Sequence, residues 1–275
     1  MPATLLVFPQ WQGGGYVPGL REAALALAPR AAGTRRRLEV EVASLHPLET
    51  ERGIHGRAEL LRQLADARAR LDAQRPERVF AVGGDCGIEV AVLSYLPARS
   101  QGSLAVVWLD AHGDLHTPES SPSGHFHGMP LRVLLGEGDP AFTAFVDRPL
   151  TPAQVMLAGT RSLDAPEQEV VGARGLRVIP SEILAEHPSS LVEWIRSTGL
   201  GRAYVHLDLD VCDPREVPDV ACPTPGGLSV GSLVRVLRAI STEVEIVGAS
   251  LTEATFAGPS IPSVLEPLLK WFQNA

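Results

Sequence analysis

Acidic side chains, a histidine and a thiol follow four short apolar runs of this sequence. They are Cys86, Asp110, His112, Asp114, Asp208, Asp210 and Glu253. Carboxylates that lie this close together repel one another strongly unless a cation lies between them. Carboxylate-rich ligation with one imidazole suits a hard divalent ion better than a soft one. These residue types therefore predict a site in which a pair of metal ions lowers the pKa of a shared water molecule for hydrolysis.

The spacing within each cluster supports this prediction. Segment 110–114 reads Asp-Ala-His-Gly-Asp, and segment 208–210 reads Asp-Leu-Asp. In an extended segment the side chains of residues i and i+2 point the same way, so each cluster converges on one place. Loop acids often only cap helices or shape turns. Because both clusters directly follow apolar runs, we favour metal ligation, with manganese as the expected ion.

The apolar runs are typical of strands that are buried on both faces, because they are apolar nearly throughout rather than alternating. The predicted strands are 4–8, 38–43, 78–82, 104–109, 154–158, 176–179, 203–207 and 244–249. The predicted helices are 56–74, 189–197, 229–240 and 263–272. This order predicts one domain over 1–275, a three-layer α/β/α fold with a mostly parallel sheet of about eight strands. In such folds ligands bind beyond the carboxyl ends of the strands.

Composition excludes several other classes of protein. Hydrophobic residues make up 45% and charged residues 20% of the 275, which argues against a disordered chain. The net charge of −8 argues against a nucleic-acid partner. No apolar run approaches the roughly 18 residues of a membrane span. Three scattered cysteines and an N-terminus without a basic stretch lead us to expect a cytoplasmic protein.

From Gly83 to Glu253 the sequence resembles the arginase/ureohydrolase family. The resemblance rests on Gly-Gly-Asp-Cys at 83–86, Asp-Ala-His-Gly-Asp at 110–114 and Asp-Leu-Asp-Val-Cys-Asp-Pro at 208–214, in the family's order. The last two blocks are highly specific. The resemblance implies an arginase-like fold, two Mn²⁺ ions per chain and hydrolysis of C–N bonds in linear amidines. It thus implies an amidinohydrolase that acts on a small guanidino substrate.

The resemblance also implies a role for each ligand. The implied metal ligands are Cys86, Asp110, His112, Asp114, Asp208 and Asp210. Asp110 and Asp208 would bridge the two ions, Cys86 and Asp114 would complete the first shell, and the remaining two would complete the second.

Three residues carry implied catalytic roles. Asp114 would take the proton of the attacking hydroxide, His127 would shuttle a proton to the leaving amine, and Glu253 would orient the guanidinium group.

The implied substrate-binding residues lie in two loops. They are His116, Ser121, Ser123, His125, Asp164 and Glu167. The first three correspond to groups that bind the substrate α-carboxylate, whereas Asp164, backed by Glu167, would accept from the α-amino group. His125 has no histidine counterpart in the family and is a further candidate contact. This set favours an L-α-amino acid over agmatine, which has no carboxylate.

Cys86 departs from the family, which usually has Gly-Gly-Asp-His in this block. One interpretation is a tolerated change or a damaged site. The other is a thiolate that lowers the Lewis acidity of the first ion and its preference for manganese. Ordinary arginases are inhibited by Nω-hydroxy-L-arginine, and a weaker first ion would trap its hydroxyl group less. We therefore expect an enzyme like the amidinohydrolases of D-cycloserine biosynthesis, an antibiotic pathway, which convert Nω-hydroxy-L-arginine to hydroxyurea and L-ornithine.

Other interpretations remain open. The chain could be an ordinary arginase, a ureohydrolase for formimino or guanidino acids, or an inactive homologue that only binds amino acids. The last is disfavoured because an inactive site has no physical reason to keep mutually repelling acids. His206, which precedes Asp208 by two residues, is expected to lie behind the ligands rather than among them. A monomer and a homo-oligomer are both compatible with the sequence.

Overall fold

The computed structural model describes residues 3–99, 103–256, 258 and 260–275. Within these ranges an eight-stranded parallel sheet runs through the molecule, and a two-stranded hairpin lies apart from it. The strands are β1 Thr4–Phe8, β2 Arg36–Glu39, β3 Thr50–Glu51, β4 Ile54–His55, β5 Val79–Gly83, β6 Ala105–Leu109, β7 Val155–Ala158, β8 Arg177–Ile179, β9 Arg202–Leu207 and β10 Glu245–Leu251. The predicted fold class, three-layer α/β/α, is confirmed.

Helices cover both faces of the sheet. They are α1 Leu20–Ala32, α2 Arg57–Gln74, α3 Glu89–Arg99, α4 Pro130–Leu134, α5 Pro140–Thr143, α6 Ala165–Arg174, α7 Ser181–Glu186, α8 Ser190–Thr198, α9 Val230–Glu243 and α10 Glu266–Asn274. None of them, in the part of the chain that is described, is long and apolar enough to cross a membrane.

The core is divided by the sheet into two hydrophobic clusters because side chains alternate along each strand. In β1, Leu5 and Val7 join the cluster that contains the buried faces of α1, α9 and α10. Leu6 and Phe8 join the cluster on the opposite face, which α2, α3 and α4 cover. The nearly continuous apolar runs in the sequence reflect this burial on both faces.

The strand order brings the chemistry-bearing loops together. The order is β2-β1-β5-β10-β9-β6-β7-β8, so β5, β10, β9 and β6 are consecutive neighbours. These are the four strands that precede the acids and Cys86. Backbone hydrogen bonds continue past the strand ends, with Asp208 N–H donating to Leu109 O at 2.9 Å and Glu253 N–H donating to Gly84 O at 2.6 Å. The loops therefore leave the sheet in fixed directions.

The structure differs from the sequence prediction in one strand, in several helices and in the β3–β4 hairpin, which was not predicted. Strand β2 begins two residues before the predicted run 38–43 and ends at Glu39. It lies at the edge of the sheet with only Leu38 buried, so apolar content locates it poorly. The helices that were not predicted from the sequence are α1, α3, α4, α5, α6 and α7. Two of them have a proline inside, Pro29 in α1 and Pro97 in α3.

Candidate metal centre

One group of ligand atoms is formed by Asp110, His112 and Asp210. His112 Nδ1 lies 2.9 Å from Asp210 Oδ2 and 3.5 Å from Asp110 Oδ1. The backbone fixes both acids, because His112 N–H donates to Asp110 Oδ1 at 2.7 Å and Ala111 N–H donates to Asp210 Oδ1 at 3.0 Å. One ligand atom from each of the three side chains lies within 4.8 Å of the others, close enough to share an ion.

A second group surrounds Cys86 at the start of the loop after β5. Cys86 Sγ lies 3.1 Å from Asp208 Oδ2, and its backbone N–H donates to Glu253 Oε1 at 2.9 Å. Cys86 shares one set of mutually close ligand atoms with Asp208 and Glu253, and a second set with Asp110, Asp114 and His206. Because the groups overlap at Cys86 and Asp110, the geometry suits neighbouring ions better than a single one.

Five acids of the site are buried without a lysine or arginine partner among the described residues. They are Asp110, Asp114, Asp208, Asp210 and Glu253, each no more than 5% exposed. Among the described residues, no lysine or arginine forms an ion pair with any of them. Removing carboxylates from water is unfavourable unless they are paired or bind a metal. This burial is the physical reason to expect cations here.

The pKa values of these acids also show that their charged forms are unfavourable in the buried site. Burial, with repulsion from Asp210, raises the pKa of Asp208 well above its usual value. Burial, with repulsion from Asp110, does the same to the pKa of Asp114 and raises that of Asp210 to about 6. Burial also raises the pKa of the Cys86 thiol. Without cations, the site therefore retains protons that bound metal would displace.

His112 and Asp110 shift in the direction of a paired charge. Burial alone would lower the pKa of His112, but hydrogen bonds with Asp110 and Asp210 outweigh it and raise the pKa to about 12. Burial would raise the pKa of Asp110, but interactions with His112 and His206 lower it. In the absence of metal, the positively charged ring of His112 thus balances the charge of Asp110 and Asp210.

Asp114 and Glu253 each keep one carboxylate oxygen free. Asp114 Oδ2 and Glu253 Oε2 are buried and have no hydrogen-bond partner among the described residues. Both residues also have a positive φ, 53° and 65°, in the left-handed region that non-glycine residues rarely adopt. Buried acceptors without partners, aimed into a cluster of acids, fit hard divalent ions or a cationic substrate.

His127 lies beside Glu253 at the edge of the centre, with its Nδ1 3.3 Å from Glu253 Oε1. Burial lowers the pKa of His127, but the negative charge of Glu253 outweighs it, so the net pKa is raised. Asp85 sits behind this pair and accepts hydrogen bonds from Gly13 N–H and Gly87 N–H at 2.9 and 2.8 Å. Its role is to fix the loop backbone next to Cys86.

A cleft opens from these acids to the surface. It is lined by Cys86, His112, Asp114, His116, Ser121, Pro122, Ser123, His127, Gly128, Glu167, Asp208, Asp210, Cys222 and Glu253. The predicted carboxylate-binding residues thus share one cleft with all of the predicted metal ligands except Asp110, which is not among the described lining residues. The oxygens of Ser121 and Ser123 lie 3.5 Å apart at its mouth.

Asp164 and Glu167, the residues predicted to bind the substrate α-amino group, also cap the N-terminus of helix α6. Asp164 and Glu167 form a reciprocal capping box at the first turn of α6, with Glu167 N–H donating to Asp164 Oδ1 at 3.0 Å. Asp164 Oδ2 lies 3.2 Å from His116 Nε2, which links the two substrate loops. Glu167 lines the cleft, whereas Asp164 is outside the described lining residues.

His125 is a predicted contact residue that lies beside the cleft rather than in its lining. Its ring centroid is 5.3 Å from that of His55 and 5.9 Å from that of His127. It is not among the described residues that line the cleft. His125 therefore touches the site through His127.

Several residues of the site have no clear signal in the sequence. Arg161 donates to backbone carbonyls of the loop after β9, and Thr224 Oγ1 lies 3.4 Å from His112 Nε2. Cys222 lines the cleft. Glu89 and His206 form a buried pair beneath Cys86. A histidine on an apolar strand was the one visible sign of that pair.

Comparisons with known proteins identify the family. The family model described as "Arginase family" matches residues 5–256. An arginase of Staphylococcus aureus is 35% identical over 155 residues, 54% of this chain and 51% of that protein. An arginase of Bacillus caldovelox is 35% identical over 186 residues, 62% of this chain and 60% of that protein. The chain thus matches about half of the length of the first of these relatives.

A solved structure shares the whole fold. The crystal structure of Entamoeba histolytica arginase in complex with L-ornithine has a TM-score of 0.86 at 22% identity, covering 98% of this chain and 97% of that one. At this identity the likeness supports the fold alone. Because the family model spans nearly all of the sequence, the chain belongs to the arginase family.

Proposed function

We propose that this protein is a metal-dependent amidinohydrolase whose substrate is Nω-hydroxy-L-arginine, cleaved to hydroxyurea and L-ornithine. The reaction class is supported above all by one observation, the convergence of five buried acids with His112 and Cys86 at the head of one cleft. The choice of substrate is supported by Cys86. The family relatives fit both this substrate and L-arginine.

The metal ligands would be shared between two Mn²⁺ ions. Asp110 and Asp208 would bridge them, Cys86 and Asp114 would hold the first ion, and the pair His112 and Asp210, 2.9 Å apart, would hold the second. When bound, such ions would supply Lewis acidity and lower the pKa of the water molecule that attacks the guanidino carbon.

The protein's own groups would orient the substrate and move protons. Glu253 Oε2, which is buried without a partner, would accept N–H groups of the guanidinium. Asp114 Oδ2, also without a partner, would accept the proton released by the attacking water. His127, held by Glu253 at 3.3 Å and with a raised pKa, would donate a proton to the leaving amine.

The mouth of the cleft would recognise the amino-acid end of the substrate. Ser121, Ser123 and His116 would bind the α-carboxylate, and Asp164 with Glu167 would accept hydrogen bonds from the α-ammonium group. His116 Nε2 lies 3.2 Å from Asp164 Oδ2, so a group for the α-carboxylate and a group for the α-ammonium lie side by side. This arrangement favours an L-α-amino acid over a decarboxylated amine.

Cys86 supports the hydroxylated substrate through its position. Its sulfur lies 3.1 Å from Asp208, the acid that would bridge both ions. A thiolate donates more charge than a neutral imidazole, so it would weaken the Lewis acidity of the first ion. A weaker ion would bind the substrate hydroxyl less tightly, which would turn an inhibitor of ordinary arginases into a substrate.

L-Arginine is the second candidate because the matching relatives are arginases. A paired assay of the Mn²⁺-loaded protein tests both, with hydroxyurea measured from Nω-hydroxy-L-arginine and urea from L-arginine. We expect a higher kcat/KM for the hydroxylated substrate. Faster turnover of L-arginine would contradict the proposed substrate while leaving the reaction class intact.

An inactive amino-acid-binding protein is tested by the same sample. Two bound manganese ions together with turnover would exclude it.

The three cysteines are free, which agrees with the reducing cytoplasm that we propose as the location of the protein.

A further inference from the structure

His206 is held rigidly beneath the candidate metal centre. It lies on β9, fully buried, and its Nδ1 is 2.8 Å from Glu89 Oε1 and 3.2 Å from Ser250 Oγ. Its ring packs on Trp108 with centroids 3.8 Å apart. Glu89 is also fully buried. The ring orientation is therefore set by a carboxylate on one side and an indole on its face.

The other ring nitrogen, Nε2, faces the ligands of the first ion. It lies 3.6 Å from Cys86 Sγ and 3.6 Å from Asp110 Oδ2. Together with Asp114, these side chains place one ligand atom each within 4.8 Å of all the others. Asp114 supplies the buried oxygen without a partner that points to a ligand at this place.

The distance from Nε2 to Asp110 fits shared ligation of one ion better than a direct hydrogen bond. A separation of 3.6 Å between Nε2 and Asp110 Oδ2 is too long for an N–H···O hydrogen bond. With bonds of roughly 2.0–2.3 Å to a metal ion, two ligands of that ion lie about 3–4 Å apart. The spacing around Nε2 falls in this range.

The orientation of the ring points the same way. Nδ1 lies 2.8 Å from the Glu89 carboxylate, so Nε2 is the ring nitrogen that remains to bind an ion beside Cys86 and Asp110. A carboxylate that accepts the second N–H of a histidine is the usual outer support of a metal-bound imidazole.

We propose that His206 is a ligand of the first metal ion, with Glu89 as its positioning residue. This inference rests on the two-metal site of the proposed function. The first ion would then have sulfur, nitrogen and carboxylate ligands, and the imidazole would enter from strand β9 rather than from the loop that holds Cys86.

The test counts imidazole ligands by X-ray absorption of the Mn²⁺-loaded protein, in which ring multiple scattering reports metal-bound histidine. We expect every ion to have one imidazole, from His206 or His112. His206→Asn should remove half of this signal and weaken binding of one ion by more than about 100-fold, beyond the usual loss for an outer-shell residue. His187→Asn, at an exposed histidine, is the matched control and should change neither.

The wild-type spectrum alone decides the matter if His206→Asn does not fold. A protein that binds two ions and turns over, but has one imidazole for every two ions, would overturn the assignment of His206 and leave the proposed function standing. A protein that binds no manganese would overturn both. Glu89→Gln adds a milder variant, which should keep the imidazole count and weaken binding of the same ion by about 10- to 100-fold.

Discussion

At the scale of single residues, the site combines side chains that the sequence reveals with others that only folding brings together. The acids after β6 and β9 were predicted because each follows an apolar run, where polar residues are conspicuous. Their assembly at one sheet edge agrees with that prediction, although their individual roles stay predictions. For the Glu89–His206 pair the sequence showed only a histidine on an apolar strand, because its partner Glu89 lies 117 positions away and looks ordinary in its own segment.

Glu253 provides the first residue-scale prediction. Glu253→Gln keeps the shape of the side chain but removes the charge that would orient the guanidinium, so we expect kcat to fall by about 10²–10³-fold. Manganese content should be nearly unchanged. The measurement is steady-state hydroxyurea formation beside elemental analysis, with Glu119→Gln, an exposed acid in the loop that precedes the cleft serines, as the control. Wild-type turnover by Glu253→Gln would rule out this role.

Cys86 provides the second prediction at the residue scale. Cys86→His would restore the residue usual in the family, and we expect tighter manganese retention during dialysis and a shift of preference toward L-arginine. Cys86 is only 2% exposed, so the larger ring must displace some of its neighbours and we expect some loss of stability. Cys86→Ser is the smaller companion, which should lower manganese retention. If metal content and preference stayed the same in both variants, Cys86 would have no part in specificity.

At the scale of secondary structure, strands that are buried on both faces can be predicted from the sequence, whereas helices that are buried on nearly all sides are harder to predict. Seven of the eight sheet strands were located to within about two residues, because burial on both faces makes a strand apolar throughout. Edge strand β2 was displaced because a half-exposed strand lacks that contrast. Helix α3 is apolar on nearly all sides, so it has no amphipathic stripe to reveal it.

The loop after β9 depends on one arginine from another element. Arg161 donates to the carbonyl oxygens of Asp210 at 2.8 Å, Thr224 at 2.6 Å and Pro225 at 3.0 Å. A lysine cannot reproduce this fork of donors. It would leave carbonyl groups without partners, each at a cost of about 1–3 kcal/mol.

We therefore expect Arg161→Lys to lower the melting temperature by roughly 5–10 °C, at about 2–4 °C per kcal/mol for a chain of this size. It should also weaken manganese binding, because the same loop holds Asp210. Thermal unfolding with and without Mn²⁺ measures both effects. Arg215→Lys, on an exposed arginine of the same loop, is the control and should change the melting temperature little. Equal melting of the two variants would contradict the role of Arg161.

At the scale of the whole molecule, the buried acids make stability depend on pH and metal together. A carboxyl group whose pKa is higher in the folded state than the unfolded value of about 3.9 stabilises the fold at low pH, and this is lost as the pH rises through the folded pKa. Asp210, with a pKa of about 6, and Asp208 and Asp114, whose pKa values are raised well above normal, all act in this direction. The metal-free protein should thus lose stability as the pH rises from about 4 through 6 and beyond.

Bound Mn²⁺ should reverse this trend, because it displaces the protons. We expect the increase in melting temperature on adding Mn²⁺ to be larger at pH 8 than at pH 5, reaching about 5–10 °C at 100-fold excess over Kd. The measurement is thermal unfolding across this pH range, with chelator as the metal-free reference. An equal increase in melting temperature at both pH values would show that metal binding does not displace protons from these acids.

Light scattering of the same samples distinguishes a monomer from a homo-oligomer.

The left-handed backbone at Asp114 and Glu253 carries a practical consequence for engineering. Each such non-glycine residue costs about 1–2 kcal/mol, and each also buries an oxygen without a partner. Glycine would relieve both penalties, so the two side chains assigned to the chemistry are among those the fold would be better off without. A library sorted only for heat resistance should enrich clones that have discarded them, and it must therefore be sorted for turnover at the same time.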